Sequence, residues 1–149
     1  MPINKVIKYL LIGTIFFVIS CQTHQFLITE SYLPVKDHRR AIVAAIGEAR
    51  IVSQNGREIT SHYHDRNFKY IEDPNKVKTR YYTKVMVLGA RRPYEVAVEV
   101  HIENKNPEKA EYLDQGLDES LSQKRLAAVE HMLNQSRDKP QTIDVENPF

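Results

Sequence analysis

Residues 79–103 read TRYYTKVMVL-GARRP-YEVAVEVHIE, and this stretch decides the fold. In its second half, apolar and polar side chains alternate from Tyr94 to Glu103, which is typical of a strand with one face in the core and one in water. Its first half, residues 79–88, is rich in β-branched and aromatic residues, which favour strands. Between the two, Gly89 and Pro93 are turn residues. The stretch therefore predicts a long hairpin within an antiparallel sheet.

A second hairpin is predicted upstream at Asn55-Gly56, because both residues tolerate the positive φ angles of a two-residue type I′ turn. The flanking strands would be residues 50–53 and 58–64. Alternation on the second of these strands predicts two faces. One face carries Ile59, Ser61 and Tyr63, and the other carries Glu58, Thr60, His62 and His64.

Helical spacing appears on both sides of the predicted strands. The first helix would begin at Asp37 as N-cap and run to about residue 49, and the second would cover residues 117–133 with Asp114 or Asp118 as N-cap. Residues 65–78 and 104–115 are polar and predict loops. Two helices over the apolar face of four strands give an α+β fold, a two-layer sandwich in which an antiparallel four-stranded sheet has both helices on one face.

The first twenty residues are typical of a targeting segment. Lys5 and Lys8 precede an apolar run of 11 residues, 9–19, which is too short for a membrane-spanning helix of about 20 residues. Of the 149 residues, 129 remain without residues 1–20, with 19 basic and 19 acidic side chains. A neutral domain of this composition gives no electrostatic argument for binding nucleic acid.

Residues 18–21, Val-Ile-Ser-Cys, directly follow the apolar run. They resemble the bacterial lipobox, in which an aliphatic residue, a tolerant position and a small residue precede a cysteine. The resemblance implies cleavage between Ser20 and Cys21 and acyl chains, such as palmitate, on Cys21. One acyl chain anchors only marginally, whereas two or three make release slow. Cys21 is the single cysteine of the chain, and lipidation gives it a use that needs no disulfide partner.

The sequence thus divides into four parts. Residues 1–20 are expected to be the lipoprotein signal peptide, and residues 21–36 the acylated N-terminus and tether, with an edge strand as the alternative for the apolar part of this segment. Residues 37–135 would form the α+β periplasmic domain, and residues 136–149 a C-terminal tail. Gln22, where aspartate would favour the inner membrane in the enterobacterial pattern, favours the outer membrane. We therefore expect a lipid anchor in the cell outer membrane, with the domain facing the periplasm.

Two groups of polar residues are candidate sites. Arg91 and Arg92 at the hairpin tip, with Arg80 and Lys84 on the preceding strand, have the charge and donor geometry to bind phosphate or carboxylate. The alternative is a solvated hairpin tip. His62 and His64, with Asp65 and His101, are weak metal-ligand candidates, because they lack a metal-site motif and the polar face of a sheet collects such side chains in any case.

No catalytic motif is evident: the chain has no nucleophile elbow, no glycine-rich phosphate loop and no HExxH. We expect no enzyme activity and no cofactor. The leading hypothesis is a structural or assembly lipoprotein that binds a protein partner of the cell envelope. A second is a lipid- or glycan-headgroup-binding lipoprotein, since the order of elements is similar to that of lipopolysaccharide-assembly lipoproteins that plug an outer-membrane barrel. A third is a metal-binding protein that uses the histidine face.

Overall fold

The computed structural model of this chain describes residues 26–138, and the predicted signal peptide, Cys21 and the last eleven residues lie outside this range. The fold is α+β, as predicted. Within the described range the elements follow in the order β1 (Leu27–Ser31), α1 (Val35–Ile46), β2 (Ala49–Val52), β3 (Glu58–Ser61), β4 (Thr79–Leu88), β5 (Tyr94–Lys105), β6 (Tyr112–Leu117) and α2 (Glu119–Asp138). Neither of these helices is both long enough and apolar enough to cross a bilayer.

The sheet is antiparallel, but the predicted number of four strands is wrong: the described chain forms six. The strand order is β1-β5-β4-β3-β2, and β6 also pairs with β5. Because β4 occupies one edge of β5 along its length, β1 and β6 share the other edge, β1 opposite residues 94–97 and β6 opposite residues 101–105. Both added strands are short and lack regular alternation, so the free edge of β5 recruits them through backbone hydrogen bonds rather than through an apolar pattern.

The long hairpin builds the core on one side of the sheet. Val85 and Val96, together with the neighbouring valines of β4 and β5, are fully or almost fully buried. We call this face the helix side, because Ile42 of α1 and Val129 of α2 join the same hydrophobic cluster. The opposite face, which carries Arg80, Tyr82 and Lys84, is called the polar side. Burying one valine contributes about 1.5–3 kcal/mol, so covering this apolar surface requires both helices.

Helix α1 begins earlier than predicted, and its N-cap lies three residues before Asp37. Pro34 occupies that position, and its carbonyl accepts hydrogen bonds from the backbone N–H groups of Asp37 (2.9 Å) and His38 (3.0 Å). No side chain caps the helix. Asp37 instead lies in the first turn, where its negative charge interacts favourably with the helix dipole. Part of the segment expected to be a tether is therefore the start of α1, and another part is the edge strand β1.

The predicted hairpin at Asn55-Gly56 is present between β2 and β3, but the turn is not type I′. The Gly56 N–H donates to the Ser53 carbonyl (2.8 Å), and only Gly56 of the pair has a positive φ, 68°. The Asn55 side chain accepts hydrogen bonds from Arg57 N–H (3.0 Å) and from the Ser53 hydroxyl (2.7 Å). Asn55 thus stabilises this longer loop by accepting hydrogen bonds with its side chain, and not by adopting a left-handed backbone conformation.

Helix α2 is docked onto the middle of β5 at its first turn. Asp118 is the N-cap, as one of the two predicted possibilities had it: its carboxylate accepts from Leu121 N–H at 2.9 Å. The Asp118 N–H donates to the Val100 carbonyl (2.9 Å), and the Ser122 hydroxyl accepts from the Val100 N–H (2.9 Å). Helix α2 therefore satisfies β5 backbone groups in the gap between β1 and β6.

We predict that Ser122→Ala lowers the free energy of unfolding by about 1–3 kcal/mol, because the buried Val100 N–H loses its acceptor. Chemical denaturation at neutral pH measures the change. Ser120→Ala is the matched control, since Ser120 lies in the same turn but is exposed. Equal effects of the two substitutions would contradict the proposed docking contact.

Candidate functional site

A bulge after β3 sets the geometry of the region that we identify as the candidate site. Thr60 pairs with Lys84, whereas His64 pairs with Tyr81, so the segment after β3 contains one residue more than the matching part of β4. Such a bulge turns the following side chains to the opposite face. The predicted faces are therefore wrong from this point on: His64 lies on the helix side, and Tyr63 lies on the polar side.

Beside this bulge lies a cavity of about 500 Å³. It is enclosed by the end of α1, the segment that follows β3, and one residue of α2. Its lining residues are Ile46, Gly47, Glu48, His62, Tyr63, His64, Phe68, Tyr70 and Arg125. Cavities of a few hundred Å³, lined mainly by apolar and aromatic groups with a few polar groups, are the usual form of small-molecule sites.

Arg125 is the one arginine in the lining, which contains no lysine. Its Nη1 donates to the Ala45 carbonyl at the end of α1 (2.9 Å), and its guanidinium carbon lies 3.9 Å from the centroid of the Phe68 ring. Its Nε is buried and has no hydrogen-bond partner in the described chain. Burial lowers the pKa of the guanidinium from its ordinary value, but an arginine in a protein still carries its charge at neutral pH.

His64 forms part of the wall as a neutral imidazole. Its Nδ1 lies 2.8 Å from the Asp65 carbonyl and its Nε2 lies 3.1 Å from the Thr83 hydroxyl, a pattern that fits a proton on Nδ1 and an acceptor at Nε2. Burial is the main cause that lowers the His64 pKa below 6.5. The Thr83 hydroxyl that bonds to His64 is fully buried, so this pair is placed to hold the wall rather than to meet a substrate.

The four predicted ligand-binding cations are not brought together. Arg91 and Arg92 are exposed at the hairpin tip. Arg80 lies eight residues before the end of β4, which is about 26 Å at the rise of a strand. Lys84 lies between them and pairs with Glu58 at 3.0 Å. The cation that does approach the tip is Arg57, whose guanidinium donates to the Gly89 carbonyl.

Arg80 has a structural role on the polar side of the sheet. Its Nε lies 2.6 Å from a Glu103 carboxylate oxygen, and both side chains are largely buried. Its guanidinium is stacked between two rings, 3.9 Å from the Tyr63 centroid and 3.5 Å from the Tyr112 centroid. The donors and faces of this arginine are therefore occupied by the protein itself, which leaves little for a ligand to contact.

The three histidines of the metal hypothesis do not converge: His62 and His64 both line the cavity, but His101 lies on the other face of the sheet. His62 makes an edge contact with Tyr70, His64 faces the helices, and His101 lies on the polar side, where it is stacked on Tyr82 with 4.9 Å between centroids. In residues 26–138 no group of three or more histidine, cysteine, aspartate or glutamate side chains is placed to hold a metal ion.

The His101 imidazole lies among carboxylates. Its Nε2 is 3.3 Å from a Glu99 oxygen. Its Nδ1 is 3.4 Å from an Asp114 oxygen, but the direction does not meet hydrogen-bond geometry, so that contact is electrostatic only. The same surroundings act on Tyr82: burial, with added repulsion from Asp114 and Glu103, raises its pKa to about 12. Tyr82 is thus a neutral phenol at physiological pH.

Sequence reasoning missed Arg125 and Phe68, the two residues that define the charged end of the cavity. Arg125 lies on a helix rich in polar residues, where an arginine ordinarily faces solvent. Phe68 lies in a segment that the sequence predicts to be a loop, and it adopts a positive φ of 63°. The one sequence signal for Phe68 was an aromatic residue within a polar stretch, because such a residue in a loop often packs against other apolar side chains.

We predict that Arg80→Met lowers the free energy of unfolding by about 3 kcal/mol, because it leaves the Glu103 carboxylate largely buried without its partner. Lys84→Met is the matched control on the same strand and face, and its pair with the more exposed Glu58 predicts a loss below about 1 kcal/mol. Urea denaturation of the two variants checks this difference. Similar losses would show that Arg80 has no special structural role.

We also predict that the protein becomes less stable as the pH falls below 6.5. Burial is the main cause that lowers the pKa of His38 and of His64, so below 6.5 the unfolded chain binds protons that the folded chain does not. Each histidine contributes at most about 1.4 kcal/mol per pH unit to this loss. Denaturation between pH 7.5 and 5.5 measures it.

His64→Gln should reduce the pH dependence, whatever its effect on stability at neutral pH. His131→Gln is the control, because His131 is exposed on α2 and contacts only Gln135 there. An unchanged pH dependence in His64→Gln would contradict the assignment of a buried neutral imidazole.

Comparison with known proteins adds no identity to this geometry. The chain matches no protein-family model, no curated protein and no solved structure. The function must therefore be argued from the residues themselves.

Proposed function

We propose that this chain is a lipoprotein tethered to the bacterial outer membrane, where its domain faces the periplasm and binds a protein partner as a structural or assembly component of the envelope. The observation that carries the proposal is the sequence at residues 18–21, with its small residue before the single cysteine and its charged and apolar residues upstream. It is a non-catalytic role, and it requires no cofactor.

The distance between the anchor and the folded domain supports this proposal. The first strand begins at Leu27, six residues after Cys21. A fully extended chain of this length spans about 20 Å, so acyl chains on Cys21 would keep the domain close to the bilayer surface. A domain held this closely meets partners that lie at the same membrane, which suits an assembly component better than a diffusing one.

The strand edges offer a surface for such a partner. The outer edge of β6 pairs with no other strand of the described chain. Two of its apolar side chains, Leu113 and Leu117, are 49% and 43% exposed and are available for contact with a partner. An extended segment of another protein can pair with such an edge, with main-chain hydrogen bonds giving affinity and side chains giving specificity. The edge strand β2 is shorter, with four residues, and is a weaker candidate.

We predict that Cys21→Ser abolishes labelling by radioactive palmitate and moves the protein from the membrane fraction, because serine offers no thiol for acylation. Fractionation and labelling of cells that express each form measure the effect. Ser120→Ala is a control, because it changes an exposed serine of the domain and leaves the predicted lipobox intact. Persistent lipid labelling of Cys21→Ser would overturn the proposed anchor.

The partner is tested in the same cells with a photo-crosslinking residue at Gln115, which is exposed on β6, and at Glu130, which is exposed on α2 as the matched control. We expect one envelope protein to be captured from Gln115 and not from Glu130, and only while Cys21 is present. Capture that is equal from both positions, or absent from both, would contradict an assembly role through this edge.

A further inference from the structure

The cavity beside the bulge is lined by one arginine, Arg125, and one carboxylate, Glu48, which do not form an ion pair with each other. Among residues 26–138, Arg125 forms no ion pair, although Arg80 and other cations of the domain do. We propose that this cavity binds a small molecule in which one carboxylate is attached to a ring, with the carboxylate at Arg125 and the ring among the aromatic side chains. The inference does not depend on the proposed assembly role, because the cavity includes neither β6 nor Cys21.

The contacts that Arg125 makes within the protein do not account for its charge. One of its N–H groups donates to the Ala45 carbonyl, at the end of a helix that has no basic residue in its own last turn. A helix end carries only about half of one negative charge, so this contact offsets part of the positive charge. Phe68 covers one face of the guanidinium, which adds an attraction but no hydrogen bond.

The Nε of Arg125 is buried and has no hydrogen-bond partner in the described chain, so the protein's own contacts leave this guanidinium incompletely satisfied. A buried N–H without a partner is unfavourable by about 1–3 kcal/mol, and more when the group is charged. Native proteins leave few such groups unsatisfied, and those that remain need an explanation. Because this Nε is shielded even from water, a carboxylate in the cavity would meet the outer N–H groups of the guanidinium, which can donate to both of its oxygens. Arginine is therefore better adapted to this anion than lysine would be.

The other lining residues favour a ligand with a planar ring over one with a flexible aliphatic chain. Phe68 and His64 lie with their centroids 5.2 Å apart at the inner wall, and Tyr70 meets His62 edge-on at 5.7 Å. Tyr70 is 61% exposed, an unusual position for a ring that also borders a cavity. Rings pack against one another in edge-to-face or offset arrangements at these separations, so a planar ligand would find matching surfaces.

Charge at the rim limits the ligand to a single negative charge. Glu48 is exposed and also lines the cavity, so a second anionic group near it would be repelled. His64, which is neutral, adds no compensating charge. A monocarboxylate therefore fits the cavity better than a phosphate monoester, which carries close to two negative charges at neutral pH. The volume of about 500 Å³ accommodates such a molecule.

Benzoate and benzamide are the test ligands, because they have the same shape and differ in charge. The full chain, purified in detergent micelles, is titrated with each while NMR follows the Arg125 Nε–H signal and the amides of Gly47 and Phe68. We expect saturable shifts with benzoate and binding of benzamide at least about tenfold weaker, the loss expected for one charged hydrogen-bond pair. Absence of saturable shifts up to about 50 mM benzoate, or equal binding of the two, would overturn the proposal.

Variants separate the cavity from general charge effects. Arg125→Gln should weaken benzoate binding about tenfold and leave benzamide unchanged. Lys124→Gln, which removes the same charge from an exposed neighbour on α2, should have no such effect. Equal effects of the two variants would overturn the site.

A second variant keeps the test decisive if Arg125→Gln does not fold. Tyr70→Ala removes a mostly exposed ring, so the fold should persist, while both ligands should bind about threefold more weakly. Unchanged binding of both ligands to Tyr70→Ala would contradict the ring contact on which the proposal depends.

Discussion

The long pairing of β4 with β5 is the constraint on which the rest of this structure depends. Ten consecutive residue pairs align the two strands and collect their valines on one face. An apolar surface of this size in water is strongly unfavourable, so α1 and α2 must cover it. Once the helices occupy that side, the polar side receives the charged and tyrosine residues of the same strands. The two faces of the hairpin thus determine on which side the helices lie.

The free edge of β5 is the second consequence of this pairing. It is longer than either strand that covers it, and β1 and β6 each take one part. In the gap, α2 supplies the missing partners through Asp118 and Ser122. A long unpaired edge invites aggregation, and dividing its cover among three segments removes that hazard from β5. The exposed edge moves outward to β6, which is where we propose that a partner protein binds.

Charge is used in two different ways in this domain. On the polar side, Arg80 is paired with Glu103 and stacked between two tyrosine rings, so its charge and both ring-facing surfaces are already in contact with protein groups. In the cavity on the helix side, Arg125 meets a helix end and a ring but no carboxylate. Arg80 is buried and Arg125 is half-buried, yet only Arg80 has a carboxylate partner among the described residues. The partners of an arginine, rather than its burial, therefore distinguish a structural residue from a candidate binding residue.

The sequence by itself determined the central hairpin, the existence of both helices, and Asp118 as a possible N-cap, because these features follow from local periodicity and turn chemistry. The resemblance of residues 18–21 to a lipobox likewise rests on a local pattern. Only the tertiary structure decided that β1 and β6 join the sheet, since an edge recruits strands through backbone groups that every residue possesses. Likewise, the bulge that turns His64 inward and Tyr63 outward adds one residue to a ladder, and no residue type marks it. The cavity at Arg125 arises from that bulge together with the packing of α2 over α1, so it depends on contacts between residues far apart in the chain, which no local pattern encodes.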